Sequence, residues 1–132
     1  VLLVLGDAVL RWPYATTLSE SGFVVLEVPD SSEAPDVVAR FLPEIVVIDL
    51  GPPALNLVRL LRANPLSESV GVLGLDQALT PEREQGAWTA GFDVALQAPC
   101  QPETLLTELL ALLATLVTNS ENLVVSVSLA VR

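Results

Sequence analysis

Five short apolar runs, each followed by a segment of helical character, restrict the fold of this chain more than any other feature of its sequence. They are Val1–Leu5, Phe23–Val28, Ile45–Ile48, Val70–Leu75 and Val94–Gln97. A run this short and apolar on both faces suits a strand of a parallel sheet covered by helices on each side. Between the runs, helices are expected over 8–21, from Ser31 or Ser32 to Phe41, over Leu55–Ala63, from Pro81 to Ala90, and from Pro102 to about Thr118. Thr80-Pro81-Glu82 supplies a cap, a proline at the first position and an acid in the first turn, and Gly91 ends that helix. Pro13 disturbs the first helix, because an interior proline removes a hydrogen bond and clashes with the preceding turn, so a late or broken start near Pro13 is expected. Strand and helix alternate five times, which predicts an α/β domain with a doubly wound parallel sheet and right-handed crossovers.

The third run is the centre of that sheet. It lies in Pro43-Glu44-Ile45-Val46-Val47-Ile48-Asp49-Leu50-Gly51-Pro52-Pro53, with Asp49 at the strand's C-terminal end. Open α/β sheets place their chemistry at that edge. Residues 119–132 fall outside the alternation. Asn119-Ser120-Glu121-Asn122 is a polar break, and in 123–131 Ser126 and Ser128 alternate with Val125, Val127 and Leu129 as in a half-exposed strand. The expected division is therefore a domain over 1–118 and an extra C-terminal β-strand segment over 119–132. That segment reads as a dimer arm or the start of a downstream domain, since the sequence stops abruptly at Arg132.

Charge and composition narrow the function. The 132 residues carry 16 acidic side chains against 6 basic ones, a net charge of −10. Phosphate backbones require a cationic surface, so neither nucleic acid nor an anionic membrane is an expected partner of this domain. The apolar stretch Leu105–Val117 is too short to span a bilayer, and no signal peptide is read at the start. One cysteine, Cys100, fits a reducing compartment, and a cytoplasmic location is expected. Histidine is absent, which removes the commonest general base and transition-metal ligand. Gly6-Asp7 lacks the further glycines of a phosphate-binding loop. A flavodoxin-like enzyme or cofactor binder is accordingly a remote alternative.

Several marks, in order, resemble the receiver domain of bacterial response regulators over residues 1 to about 117. They are Ser21-Gly22-Phe23, the Pro43–Leu50 stretch with Pro53 after it, Arg59-Leu60-Leu61-Arg62-Ala63-Asn64-Pro65, Ala90-Gly91-Phe92-Asp93, and Pro99 followed by Pro102-Glu103-Thr104-Leu105-Leu106. The resemblance implies a flavodoxin-like fold with strand order 2-1-3-4-5, membership of a two-component or phosphorelay pathway, and a histidine kinase as a possible partner. It also implies that Asp49 stands where the phospho-acceptor aspartate stands. In that family the reaction further uses an acid pair after strand one, a Thr or Ser after strand four, a Lys after strand five, and Mg²⁺. Here the acid pair falls on Leu5 and Gly6 with Asp7 one residue on, the hydroxyl position is Asp76, and the lysine position is Ala98 in a chain without lysine. The aromatic switch position is Ala95. Without a fixed cation, and with Asp76 repelling an incoming phosphate, the resemblance points to a degenerate receiver.

Asp49 is accordingly read as a vestigial phospho-acceptor position, and Asp7 and Asp76 as a residual acidic pocket. No metal or other cofactor is expected; an alternative lets Asp7, Asp49 and Asp76 hold a divalent cation, Mg²⁺ if phosphorylation on Asp49 survives. The fifth helix carries more apolar surface than a one-sided helix needs, an arc of roughly 160° against roughly 100°. Leu105, Leu109, Leu112 and Leu116 are expected on a dimer or partner face. The expected function is a non-catalytic signalling module that acts through a protein partner or homodimer, by the helix 4–strand 5–helix 5 face and the C-terminal strand.

Overall fold

The computed structural model describes the backbone of residues 1–131 and the side chains of residues 1–116. In chain order the elements are β1 Leu2–Val4, α1 Ala8–Glu20, β2 Leu26–Val28, α2 Ala34–Phe41, β3 Ile45–Asp49, α3 Pro52–Ala63, β4 Gly71–Asp76, α4 Pro81–Ala90, β5 Val94–Gln97 and α5 Pro102–Val131. The five strands are all parallel and ordered β2-β1-β3-β4-β5, the flavodoxin-like order. Register places Val4 beside both Val28 and Ile48, Asp49 beside Leu75, and Asp76 beside Gln97. The C-terminal ends of β1, β3, β4 and β5 thus meet along one edge.

Period-two patterning divides each strand between two cores. Leu2, Val4, Val46, Ile48 and Val72 pack with α2, α3 and α4 residues such as Val38, Leu57, Val58 and Ala87. Leu3, Leu5, Ile45, Val47, Leu73 and Leu75 pack with Tyr14 and Leu18 of α1 and with Leu105, Leu109 and Leu112 of α5. Two close approaches pack α5 and the turn after α4 against β4. A side chain on Gly71 would collide with Leu116, and one on Gly74 with the Phe92 ring.

Four local expectations change. Helix α2 begins at Ala34 with Glu33 as its N-cap rather than at Ser31 or Ser32, and Pro35 falls in its first turn. Helix α1 begins at Ala8 and passes through Pro13, because the Asp7 carboxylate caps it by accepting from the Val9 N–H at 2.9 Å. Helix α3 begins at Pro52 rather than Leu55, since Pro52 and Pro53 lie in the first turn, where a missing N–H costs nothing. The strand expected within 123–131 is absent, for α5 continues as backbone helix to Val131. Asn119-Ser120-Glu121-Asn122 is polar but contains neither glycine nor proline, so nothing there stops a helix. The side chains of that stretch, and Arg132, lie outside the described residues. No described helix is long and apolar enough to cross a membrane.

Candidate functional site

The C-terminal edge of the sheet gathers the acidic residues the sequence singles out, but not into one cluster. Ile45, Val46, Val47 and Ile48 are buried, and the chain emerges at Asp49, which is exposed. Leu50 then donates its N–H to the Leu75 carbonyl at 2.7 Å, and Gly51 opens α3. Partial desolvation raises the Asp49 pKa, the Gly6 backbone N–H opposes that shift, and the charge of Asp7 adds to it. Asp49 thus sits beside Asp7 in mutual repulsion, and Asp7 is already engaged as the α1 cap.

Asp76 has a different fate. It ends β4 at 5% exposure, and its carboxylate accepts from the Ala78 N–H at 3.0 Å and from Arg83 Nε at 2.5 Å. Burial alone would raise its pKa; the Arg83 hydrogen bond, the Ala78 N–H and the Arg83 charge together bring it below the ordinary value. The repulsive carboxylate expected from the sequence is therefore neutralised, and the three-aspartate cation site does not assemble. No group of three or more His, Cys, Asp or Glu is arranged to hold a metal among the described residues. Mg²⁺, which the fold implies, takes one or two protein carboxylates and completes its octahedron with water; Asp76 is held by Arg83 and Asp7 caps α1 through one oxygen, so Asp49 and Asp7 beside it are the residues that would hold it. Asp49 is the one carboxylate of the three not engaged as a cap or in an ion pair.

Sequence reasoning missed Arg83 and Gln97. Arg83 lies in the first turn of α4, seven residues beyond Asp76, and only the fold of the intervening loop brings the two together. Gln97 fastens the same loop: its Nε2 donates to the Gln77 and Ala98 carbonyls at 2.8 Å each, and its Oε1 accepts from the Leu79 N–H at 3.1 Å. Ala98 is 3% exposed, and its N–H donates to the Asp76 carbonyl at 2.8 Å, so the position expected to carry a lysine is filled by a buried methyl group. Ala95 packs into the α2–α4 core. A cavity of about 310 Å³ opens beside Asp49, walled by Gly6, Pro29, Asp30, Ser31, Gly51 and their neighbours, with no cationic side chain in its lining. An anion entering it meets two carboxylates, Asp30 and Asp49.

The depressed Asp76 pKa ties stability to pH in a checkable direction. The contribution is fully present above the unfolded value near 3.8 and is lost as pH falls through the lower folded value. Arg83→Ala should raise the Asp76 pKa and lower stability at neutral pH, and the deficit should shrink as the carboxylate protonates. Urea midpoints of both proteins at pH 7 and at acid pH check this.

The fifth helix corrects the expected partner face. Leu105 and Leu109 are fully buried, Leu112 is 7% exposed, and Leu116 packs against the same core. They face the sheet because their spacing of four, three and four residues is the stripe a helix lays on its own domain.

Comparison with known proteins agrees with this architecture. No protein-family model matches the chain. It is 36% identical over 116 residues to the two-component response regulator PhoP of Pseudomonas aeruginosa, covering 86% of this chain and 51% of that protein. The transcriptional regulatory protein PhoP of Escherichia coli K12 is 28% identical over the same share. The chain spans about half the length of these curated relatives. An uncharacterized 14.6 kDa protein of Leptolyngbya boryana is 28% identical over 109 residues, 80% of this chain and 83% of that one. Among solved structures, chemotaxis response regulator CheY4 of Vibrio cholerae superposes with a TM-score of 0.79 at 24% identity, covering 84% of this chain and 95% of that one. An orphan response regulator of H. pylori gives 0.78 at 21%, covering 85% and 93%.

Proposed function

We propose that this chain, which has the fold of a response-regulator receiver domain and sequence likeness to response regulators, is a signalling module that works without phosphorylation. The observation that carries the reading is the state of the cations. Phosphoryl transfer is positioning plus charge neutralisation, yet Ala98 is a buried methyl group, and two arginines near the strand ends are already paired: Arg83 of α4 with Asp76, and Arg11, which also donates to the Leu5 carbonyl, with Glu27. Asp49 is left beside Asp7 and an acid-walled cavity, an arrangement that opposes added negative charge. The domain then has no catalytic role of its own. It acts in the cytoplasm through protein contacts, within a two-component pathway whose histidine kinase or output partner reads its surface.

The test is direct. The chain is incubated with Mg²⁺ and acetyl phosphate and followed by intact mass, with a response regulator of known competence alongside. No phosphoryl adduct is expected. An adduct that is lost in Asp49→Asn would overturn the reading and establish Asp49 as a working acceptor.

A further inference from the structure

Helix α5 is 30 residues long, whereas α1 to α4 run 8 to 13. At about 1.5 Å per residue it extends for roughly 45 Å. Its last described side chain, Leu116, lies against Gly71 and so close to Ile45, the first residues of β4 and β3. Both strands begin there, and the backbone of α5 runs on past Leu116 for about another 22 Å.

Two apolar seams run along this helix in the sequence. The first is the packed one, Leu105, Leu109, Leu112 and Leu116; at the same spacing it continues as Asn119, Leu123, Ser126 and Ala130 and becomes more polar past Leu116. The second is offset by one position: Leu106, Leu110, Leu113, Val117, Ser120, Val124, Val127 and Val131. Its intervals alternate four and three residues throughout, and only Ser120 is polar. Within the domain this seam is incompletely covered, with Leu106 and Leu113 partly buried and Leu110 49% exposed.

We infer that a second copy of this chain pairs with it through the second seam, as a parallel two-stranded coiled coil beginning near Leu110. A seam with period 3.5 calls for a helix of the same period, and the seam of α5 matches itself from Leu106 to Val131. The position types favour two parallel strands. Leu110, Val117, Val124 and Val131 occupy the a positions, three of them β-branched, and Leu106, Leu113, Ser120 and Val127 the d positions. Charge permits the contact: the acids of α5 are Glu103, Glu108 and Glu121, none of them on the seam from Leu106 onward. This rests on the reading of the domain as a module that acts by protein contact, and it names the partner. Because each subunit carries a net charge of −10, added salt should tighten the dimer by screening subunit repulsion.

Sedimentation equilibrium of the full chain at tens of micromolar should give the mass of a dimer, with the dimer fraction rising with salt. The double variant Leu110→Lys/Val124→Lys should be a monomer that keeps the circular dichroism and melting of the folded domain. Asn122→Lys, at the f position, should remain dimeric. In a Cys100→Ala background, Val124→Cys should form an intersubunit disulfide under mild oxidation, as a parallel pairing requires. A monomer at every concentration would overturn the inference, as would a dimer that survives both lysines or a Val124→Cys dimer that does not cross-link. A monomer that floats with phosphatidylcholine vesicles would also overturn it, marking the seam as a lipid-binding face. None of these results bears on phosphorylation of Asp49, which the mass measurement decides separately.

Discussion

Leu109→Ala should destabilise the domain by about 4 kcal/mol, while Leu110→Ala, one residue further along, should change its folding stability by well under 1 kcal/mol at concentrations where the chain is monomeric. The difference is one of placement. Leu109 is fully buried in the core between α5, α1 and the sheet, where it packs near Leu105, Leu112 and Tyr14. Truncation removes the transfer free energy of the lost carbons and leaves a cavity that neighbours on three elements cannot all relax to fill. Leu110 is 49% exposed, so alanine there leaves no comparable hole. Against a typical domain stability of about 5–15 kcal/mol, the first change is severe. Urea denaturation of the two variants at sub-micromolar concentration measures the contrast. Similar losses from both would mean that α5 does not lie on the sheet as described.

Arg62→Ala should cost about 3 kcal/mol, the second largest single effect expected here. Arg62 stands near the end of α3 and reaches two separate segments. Its Nε and Nη2 donate to the Gly91 carbonyl at 3.0 and 2.8 Å, and Nη2 also donates to Asp93 Oδ2 at 2.9 Å. Its Nη1 donates to the Glu68 and Val70 carbonyls at 2.6 and 2.5 Å. One guanidinium thus joins the α3–β4 loop to the α4–β5 turn, and Asp93 passes the connection on by accepting from the Val72 N–H at 2.8 Å. Removal leaves several carbonyls short of donors in a partly buried site, and that penalty exceeds the net worth of the bonds themselves. Arg62→Lys should recover only a small part, since an ammonium cannot serve both sides of the fork. Denaturation midpoints of Arg62→Ala and Arg62→Lys, compared with the parent chain, give the ranking.

How far the sequence carried these conclusions depended on the range of the interactions. The strands were legible because Ile45–Ile48 and its counterparts are apolar on both faces, a local signature of a sheet covered on both sides. Asp49 was legible as the end of the central strand for the same reason. The course of α1 was not, because the Asp7 cap outweighs the interruption at Pro13 and both act within a few residues of each other. The tail misled for a different reason: Val125, Ser126, Val127, Ser128 and Leu129 alternate as strands do, yet they follow without interruption from a helix that has no stop signal. At the site, the sequence located Asp76 but gave it the wrong electrostatics, because its partner Arg83 reaches it only when the β4–α4 loop closes. The leucines of α5 showed an excess of apolar surface; which seam the sheet claims depends on the rotation of the helix, and spacing alone does not fix that.

On the function proposed above, the edge of the sheet around Asp49 no longer accepts a phosphoryl group. Beryllofluoride with Mg²⁺ mimics an acyl phosphate without requiring transfer, so it asks only whether the pocket can hold the group. With Arg83 held by Asp76, Ala98 in place of a cation, and Asp7 and Asp30 near Asp49, no binding is expected. Amide chemical shifts recorded across a titration of Mg²⁺ and beryllofluoride should stay in place over residues 49–55 and 74–78. Saturable shifts centred on those two segments, absent in Asp49→Asn, would contradict the account.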